Sequence, residues 1–247
     1  MRVLDLGLIG HAEALVLQEE AAQRILEGGE ESLFLLEHPP LITFGRNGGK
    51  ENLPLSADYF TARGVAIVHT DRGGNITCHF PGQLVAYPVM SLNRRPGGLR
   101  AFFADLEESI IRTLAVYGLI AGRRAGRPGV WINTKPREGQ PGGSEGLWDG
   151  PPKDPAGDLH ARQAEDMGGD RKICQIGIAV KHRISRHGLS LNVGPDLSLF
   201  ELIRPCGLPG VRATSLSREL GVNTPSMADV KKTFVREFCA LFNVNLL

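Results

Sequence analysis

Val65-Ala66-Ile67-Val68, Asn75-Ile76-Thr77-Cys78 and Leu84-Val85-Ala86-Tyr87 are three strand-like runs in quick succession. The first gap holds Asp71-Arg72-Gly73-Gly74 and the second holds Phe80-Pro81-Gly82. Neither gap has room for the crossover helix that joins two parallel strands, so antiparallel pairing is expected. Working outward, Arg2–Leu6, Leu33–Leu36, Leu41–Phe44, Val130–Ile132, Ile173–Val180 and Gly188–Val193 read as further strands. His11–Leu26, Leu99–Tyr117, Leu197–Ile203 and Ala228–Phe242 read as helices. In the second of these, Phe103, Leu106, Ile110, Leu114 and Tyr117 mark one apolar stripe. Strands and helices are interspersed without a regular βαβ repeat. The fold class expected is α+β, with helices packed on a mixed, largely antiparallel sheet.

The chain has 247 residues, 42% of them hydrophobic and 22% charged, which suffices for one core. A single domain over residues 1–247 is expected. Thr134–Arg171 stands apart: 13 of its 38 residues are Gly or Pro and apolar residues are sparse. It is expected to be a surface insertion rather than a second domain. The net charge of +1 excludes binding to nucleic acid or anionic membrane by bulk charge. The four cysteines form no C-x-x-C pair, the opening residues lack an apolar signal core, and no stretch is long enough to span a membrane. A cytoplasmic protein with free thiols is expected. Cys/His spacing suits no metal site.

Phosphate-loop, strand–G-x-G-x-x-G–helix and H-E-x-x-H motifs are absent. Three segments carry candidate chemistry. In Arg72-Gly73-Gly74-Asn75-Ile76-Thr77-Cys78-His79, a Gly pair allows close backbone approach beside a cation and a titratable ring; a hairpin turn with a solvated arginine explains it equally. In Lys172-Ile173-Cys174, strand alternation puts Lys172, Cys174 and Ile176 on one face, where a lysine facing a pocket would favour a nearby thiolate. In Pro205-Cys206-Gly207, a turn presents one cysteine, either as a nucleophile or as a buried small residue. The residues alone leave both readings open.

Taken together, these motifs resemble the lipoyl(octanoyl) transferase family. The match comprises Glu37-His38-Pro39-Pro40, Gly45-Arg46, Glu51-Asn52-Leu53, the Arg72–Thr77 run with His79 and then Pro81–Pro88, Gly129-Val130-Trp131, Lys172-Ile173 with Gly177, Ser185 with His187–Asn192, Asp196-Leu197, Pro205-Cys206-Gly207 and Thr214-Ser215-Leu216. This many motifs in one order is highly specific. The resemblance implies the fold of the biotin and lipoate protein ligase catalytic domain. It implies transfer of an octanoyl group from octanoyl-acyl carrier protein to a lysine of lipoyl domains, the first step of protein lipoylation. The acceptors implied are the lipoyl domains of 2-oxoacid dehydrogenase complexes and the glycine cleavage H protein. Cys206 is implied as the acyl-thioester nucleophile and Lys172 as its partner. Arg72, Gly73, Gly74, Asn75, Ile76, Thr77, Cys78, His79, Gln175, Ile176, Gly177, Gly188, Leu189 and Ser190 are implied to bind the substrate. No cofactor is implied.

This chain departs from the family pattern at His11, usually Tyr, at Cys78, usually aromatic, and at Phe80, usually Gly. Phe80 adds bulk beside His79 and is expected to reshape the acyl tunnel. The alternatives are an ATP-dependent lipoate or biotin ligase of the same fold, which needs no cysteine, and a non-catalytic acyl or carrier-protein binder. Arg94, Arg95, Arg123, Arg124 and Arg127 are candidates for docking an acidic carrier protein.

Overall fold

The computed structural model describes residues 1–132, 171–204 and 211–245. In chain order these form β1 (Arg2–Leu8), α1 (His11–Leu26), β2 (Ser32–Glu37), β3 (Leu41–Phe44), α2 (Ala57–Thr61), β4 (Ala66–His69), β5 (Ile76–His79), β6 (Gln83–Val89), α3 (Gly98–Val116), β7 (Ala121–Arg124), β8 (Arg127–Ile132), β9 (Arg171–Lys181), β10 (Ile184–Asn192), α4 (Ser198–Glu201), β11 (Arg212–Ala213), α5 (Leu216–Leu220) and α6 (Met227–Phe242). The expected insertion and Cys206 lie outside the described residues, except that Arg171 is the first residue of β9.

Two sheets hold the described strands. The larger runs β1-β2-β6-β10-β9-β8-β7, with β11 added beside β9; the smaller runs β4-β3-β5. Pairing is antiparallel except for β1 with β2, β3 with β4, and β11 with β9. The α+β class and the mixed, largely antiparallel pairing therefore hold. The three runs that suggested it, however, do not pair with one another. β4 and β5 both flank β3, and the Phe80-Pro81-Gly82 turn carries the chain from the small sheet into β6 of the large one. Short connections fix proximity; burial decides the partner.

The apolar patterns assign the layers. Helices α3 and α6 cover one face of the large sheet. In α6, Val230, Phe234, Phe238 and Phe242 recur every four residues and are all buried, and Ser226 caps the helix through the Asp229 N–H. Phe102, rather than the expected Phe103, is the fully buried phenylalanine of α3, its ring 5.4 Å from that of Phe242. The opposite face meets α1, whose small residues Ala14 and Ala21 allow close packing on Phe34, Leu36, Val85 and Tyr87. The small sheet adjoins this same face. Its outer side forms a satellite core of Ile42, Phe44, Ile76 and Cys78 with Phe60, Phe80 and Phe200.

A candidate active site between two sheets

In the small sheet, alternation turns Thr43, Thr77 and His79 away from the satellite core and toward the large sheet. Arg72 ties the sheets together. Its Nη2 donates to the Thr43 carbonyl (2.6 Å) and hydroxyl (2.9 Å), and its Nε donates to the same hydroxyl (3.1 Å). The next residue, Gly73, donates its N–H to the Ile178 carbonyl on β9 (2.9 Å). A Cβ on Gly177 would stand 2.9 Å from the Gly73 carbonyl, so this close approach needs Gly177 bare, and a Cβ on Gly73 would stand 3.2 Å from the Ile178 carbonyl.

Where the two sheets meet, polar side chains join in one line of hydrogen bonds. His79 Nδ1 donates to Gln83 Oε1 (2.7 Å), Gln83 Nε2 to Asn192 Oδ1 (2.9 Å), Asn192 Nδ2 to the Thr214 carbonyl (2.9 Å), and Thr214 N–H to the Lys172 carbonyl (2.9 Å). Beside it, Ser190 Oγ donates to Gln175 Oε1 (3.1 Å). All of these residues are buried. Buried polar groups are costly unless each finds a partner, and a satisfied network holds its members in one geometry. The line connects the Arg72–His79 segment to Lys172.

At the other end, four imidazoles gather around Tyr87. The rings of His11 and His38 stand 5.6 Å apart, those of His38 and His79 5.6 Å, and those of His11 and His187 6.4 Å. His38 Nδ1 donates to the Ile9 carbonyl (2.8 Å), so its neutral Nε2 accepts from the Tyr87 hydroxyl (2.9 Å). His187 Nε2 donates to Asp71 (2.7 Å). Burial holds all four rings below the ordinary histidine range, and for His11 down to about 4, with His38, His187 and Arg72 adding to the effect. At neutral pH the cluster is uncharged.

Lys172 is 3% exposed, and its position corrects the expectation that it shares a face with Cys174 and Ile176. Trp131 pairs with Lys172, but Val130 pairs with Cys174: β9 holds one extra residue, a bulge. Ile173 and Cys174 consequently both enter the core under α3 and α6, with Val130 and Ile132. Lys172 lies on the opposite face with Trp131, its Nζ 5.3 Å from the indole centroid. Gly129 makes room for it. At φ +114° a Cβ there would collide with the Cys174 carbonyl and stand 2.7 Å from Lys172 Cε. This accounts for Gly129-Val130-Trp131 among the shared motifs. Burial pushes the Cys174 thiol well up, although Lys172 pulls the other way. Cys174 is fully buried and is not a reactive thiol.

The described residues on either side of Cys206 are both fastened to this site. Arg204 donates its N–H to the Asn52 carbonyl (2.9 Å), and Asn52 Nδ2 donates to Asn75 Oδ1 (3.1 Å). On the far side, β11 pairs with Arg171 and Lys172, taking the edge of β9 that β10 has left.

The structure sorts the expected substrate-binding residues. Arg72, Gly73, Thr77, His79, Gln175, Gly177, Gly188 and Ser190 lie where the two sheets face one another, with Asn75 and Gly74 beside them. Ile76 and Cys78 face the satellite core instead, and Ile176 and Leu189 face the core under α3 and α6. These four offer the site only backbone. Phe80 also departs from expectation: its ring packs edge-on against Phe200, 5.7 Å away, in the satellite core rather than beside His79. Of the arginines considered for docking, Arg95 is paired with Glu31 (2.6 Å) and Arg123 with Glu107 and Glu108 (3.1 and 2.9 Å). Sequence reasoning did not single out Asp71 or Glu107. The signal for Glu107 was available, a carboxylate directly beside Leu106 in the α3 stripe.

Among the described residues, no group of three or more His, Cys, Asp or Glu is arranged to hold a metal ion. No helix among them is long and apolar enough to cross a membrane.

Comparison with known proteins shows the family and the fold. The family model for the lipoyl protein ligase A/B catalytic domain matches residues 11–239. An octanoyltransferase of Nitratidesulfovibrio vulgaris (strain DSM 19637 / Miyazaki F) is 49% identical over 242 residues, 98% of this chain and 94% of that protein. In structure, a bipartite lipoate protein ligase from Thermoplasma acidophilum superposes with a TM-score of 0.69 at 17% identity, covering 100% of this chain and 85% of that one. A biotin protein ligase from Aquifex aeolicus shares the fold more distantly, at a TM-score of 0.50 and 9% identity over 98% of this chain and 70% of that one. The chain belongs to the lipoyl protein ligase A/B catalytic domain family and, within it, to the octanoyltransferases.

Proposed function

We propose that this acyltransferase moves an octanoyl group from octanoyl-acyl carrier protein to a lysine of lipoyl domains, with Cys206 as the nucleophile and Lys172 at its side. The proposed acceptors are the lipoyl domains of 2-oxoacid dehydrogenase complexes and the glycine cleavage H protein. The observation that carries this reading is the placement of Lys172. It is a buried lysine of β9 just beyond the end of the β10 ladder, and β11, where the chain returns after the Cys206 segment, pairs directly alongside it. A lysine ammonium there favours the thiolate of a neighbouring cysteine, which in free form has a pKa near 8.5.

The chemistry then proceeds in two balanced exchanges. The Cys206 thiolate attacks the thioester carbonyl of the donor. The C–S bond to the carrier breaks, the carrier thiolate leaves and takes a proton, and acyl-Cys206 forms. The acceptor amine then attacks that carbonyl, loses a proton and forms an amide, and the Cys206 thiolate departs. The first exchange trades one thioester for another and the second ends in a more stable amide, so neither needs ATP. Lys172 is suited to supply the first proton and accept the second. Thr77, His79, Gln175 and Ser190, with the backbone at Gly73, Gly177 and Gly188, are proposed to line the acyl site.

Intact mass spectrometry after incubation with octanoyl carrier protein tests the reading. The wild-type chain should gain one octanoyl group without ATP, and Cys206→Ser should gain none. An adduct that persists in Cys206→Ser, or a transfer that requires ATP, would exclude this mechanism and favour the ligase alternative.

A further inference from the structure

We infer that the Thr77 hydroxyl is a catalytic group of the transfer, donating a hydrogen bond to the carbonyl oxygen of the octanoyl thioester. The inference rests on the octanoyl-transfer reading proposed above and gives the acyl carbonyl a named partner.

Thr77 is 7% exposed, and its Oγ has no hydrogen-bond partner among the described residues. A buried hydroxyl in that state is costly, and natural folds rarely leave one. Three other buried side-chain atoms among the described residues share the condition. Arg95 Nε and Arg186 Nε belong to guanidinium groups whose other nitrogens meet carboxylates. Ser32 pairs with Val89, at the opposite end of β6 from Gln83. Thr77 alone among the four lies in the candidate site.

Its surroundings explain why the fold does not satisfy it. Thr43 stands directly opposite on β3, and Arg72 spends both Nε and Nη2 on the Thr43 hydroxyl (3.1 and 2.9 Å). Alternation places Asn75 and His79 on the same face as Thr77, each about 7 Å along the strand. Both are engaged elsewhere. Asn75 Oδ1 accepts from Asn52 Nδ2, and the Asn52 carbonyl holds Arg204. His79 Nδ1 donates to Gln83, at the head of the line that ends at Lys172. Thr77 therefore stands between the tether of the Cys206 segment and the polar line to Lys172, with its hydroxyl uncommitted.

The substrate has one group to offer such a hydroxyl. The octanoyl chain is hydrocarbon, and its carbonyl oxygen is its one strong acceptor. When a thiolate attacks, the carbon–oxygen double bond opens and that oxygen takes the electron pair. When the carbon–sulfur bond to the carrier breaks, the pair returns and the double bond re-forms. A donor aimed at the oxygen bonds more strongly to the oxyanion than to the carbonyl, so it lowers the barrier of both exchanges. The branched threonine side chain has few rotamers, which holds the hydroxyl in place before the substrate arrives.

Thr77→Val keeps the shape and removes the hydroxyl, whereas Thr77→Ser keeps the hydroxyl and removes the methyl. Acyl-enzyme formation from octanoyl carrier protein is followed by intact mass under single-turnover conditions. Thr77→Val should acylate on the order of 100-fold more slowly than wild type, and Thr77→Ser within about tenfold of it. Because the hydroxyl lost is unpaired, Thr77→Val should melt no lower than wild type. If it does not fold, Thr77→Ala takes its place, since it too lacks the hydroxyl. The second readout is the infrared carbonyl stretch of the acyl-enzyme, made with an isotope-labelled carbonyl. Without the hydroxyl that band should move to higher frequency, whereas a packing role would leave it in place. Wild-type acylation in a variant without the hydroxyl, slow acylation with an unmoved band, or Thr77→Ser as slow as Thr77→Val would overturn the inference. Wild type is run alongside. If it gains no adduct, the transfer reading itself fails; if it does, these results remove the role of Thr77 alone.

Discussion

Replacing Gly129 with alanine should disable the site at a moderate cost to the fold. Two effects combine. Backbone at φ +114° is hardly open to a residue with a Cβ, a strain of about 1–3 kcal/mol. The new methyl would also collide with the Cys174 carbonyl, which is fixed in β9, and lie 2.7 Å from Lys172 Cε. Ordinary carbon–carbon contact is about 3.5–4 Å, so the Lys172 side chain must retreat by about 1 Å. A shift of that size in a catalytic group costs on the order of 100-fold in rate. With overpacking of about 1–3 kcal/mol added, the melting temperature should fall by roughly 5–15 °C. Gly28→Ala is the control. Gly28 has φ +86° with nothing within 4 Å of an added Cβ, so it carries the backbone strain without the collision. Thermal unfolding and single-turnover octanoyl transfer, measured well below both melting temperatures, separate stability from rate. Gly28→Ala should lose stability alone, and Gly129→Ala should lose both. A Gly129→Ala enzyme that transfers at the wild-type rate would refute the argument that this glycine seats Lys172.

Three further outcomes follow from the geometry. Acid should destabilise the fold early: His11, His38, His79 and His187 take up protons in the unfolded chain near pH 6.5 but resist them when folded, so stability is complete above that value and declines as pH falls toward 4, which melting curves between pH 8 and 4.5 would reveal; a flat profile would contradict their burial as neutral rings. Residues 133–170 should be replaceable by a short Gly/Ser turn with the melting temperature preserved, because Ile132 and Arg171 already sit opposite one another as antiparallel partners; collapse of the fold would show that the segment contributes packing. Cys174→Ser should keep its acyl adduct and most of its transfer rate, since that thiol faces the core under α3 and α6, and loss of the adduct would reassign the nucleophile.

Much of this was legible in the residues. The helix His11–Leu26 follows from its apolar spacing, and the strand-rich remainder from short runs broken by Gly and Pro. The site was legible chiefly through the joint match of many motifs, because no single segment distinguishes a binding loop from a hairpin turn. What the pattern could not give was the facing of side chains where the backbone breaks its period. The bulge at Ile173 and Cys174 reverses the alternation that would have grouped Cys174 with Lys172. Nor does sequence distance reveal that β5 and β6, three residues apart, belong to different sheets. The hydrogen-bond line from His79 to Lys172 draws on Gln83, Asn192 and Thr214, which look like ordinary polar residues until distant strands bring them together.

That dependence on distant strands also bears on how the chain is made. β6 takes β2 as one neighbour, already synthesised, but its other neighbour is β10, and Gln83 finds Asn192 only after 109 further residues. While the polypeptide is still emerging from the ribosome, the Leu84-Val85-Ala86 edge stands open, its backbone groups unpaired and its side chains apolar. Open apolar edges invite pairing with other chains, and topologies built on remote contacts close slowly. Truncated or stalled products ending before Ile184 should therefore be aggregation-prone and depend on chaperones, and the β6 amides that point toward β10 should acquire exchange protection only when the last third of the chain is released.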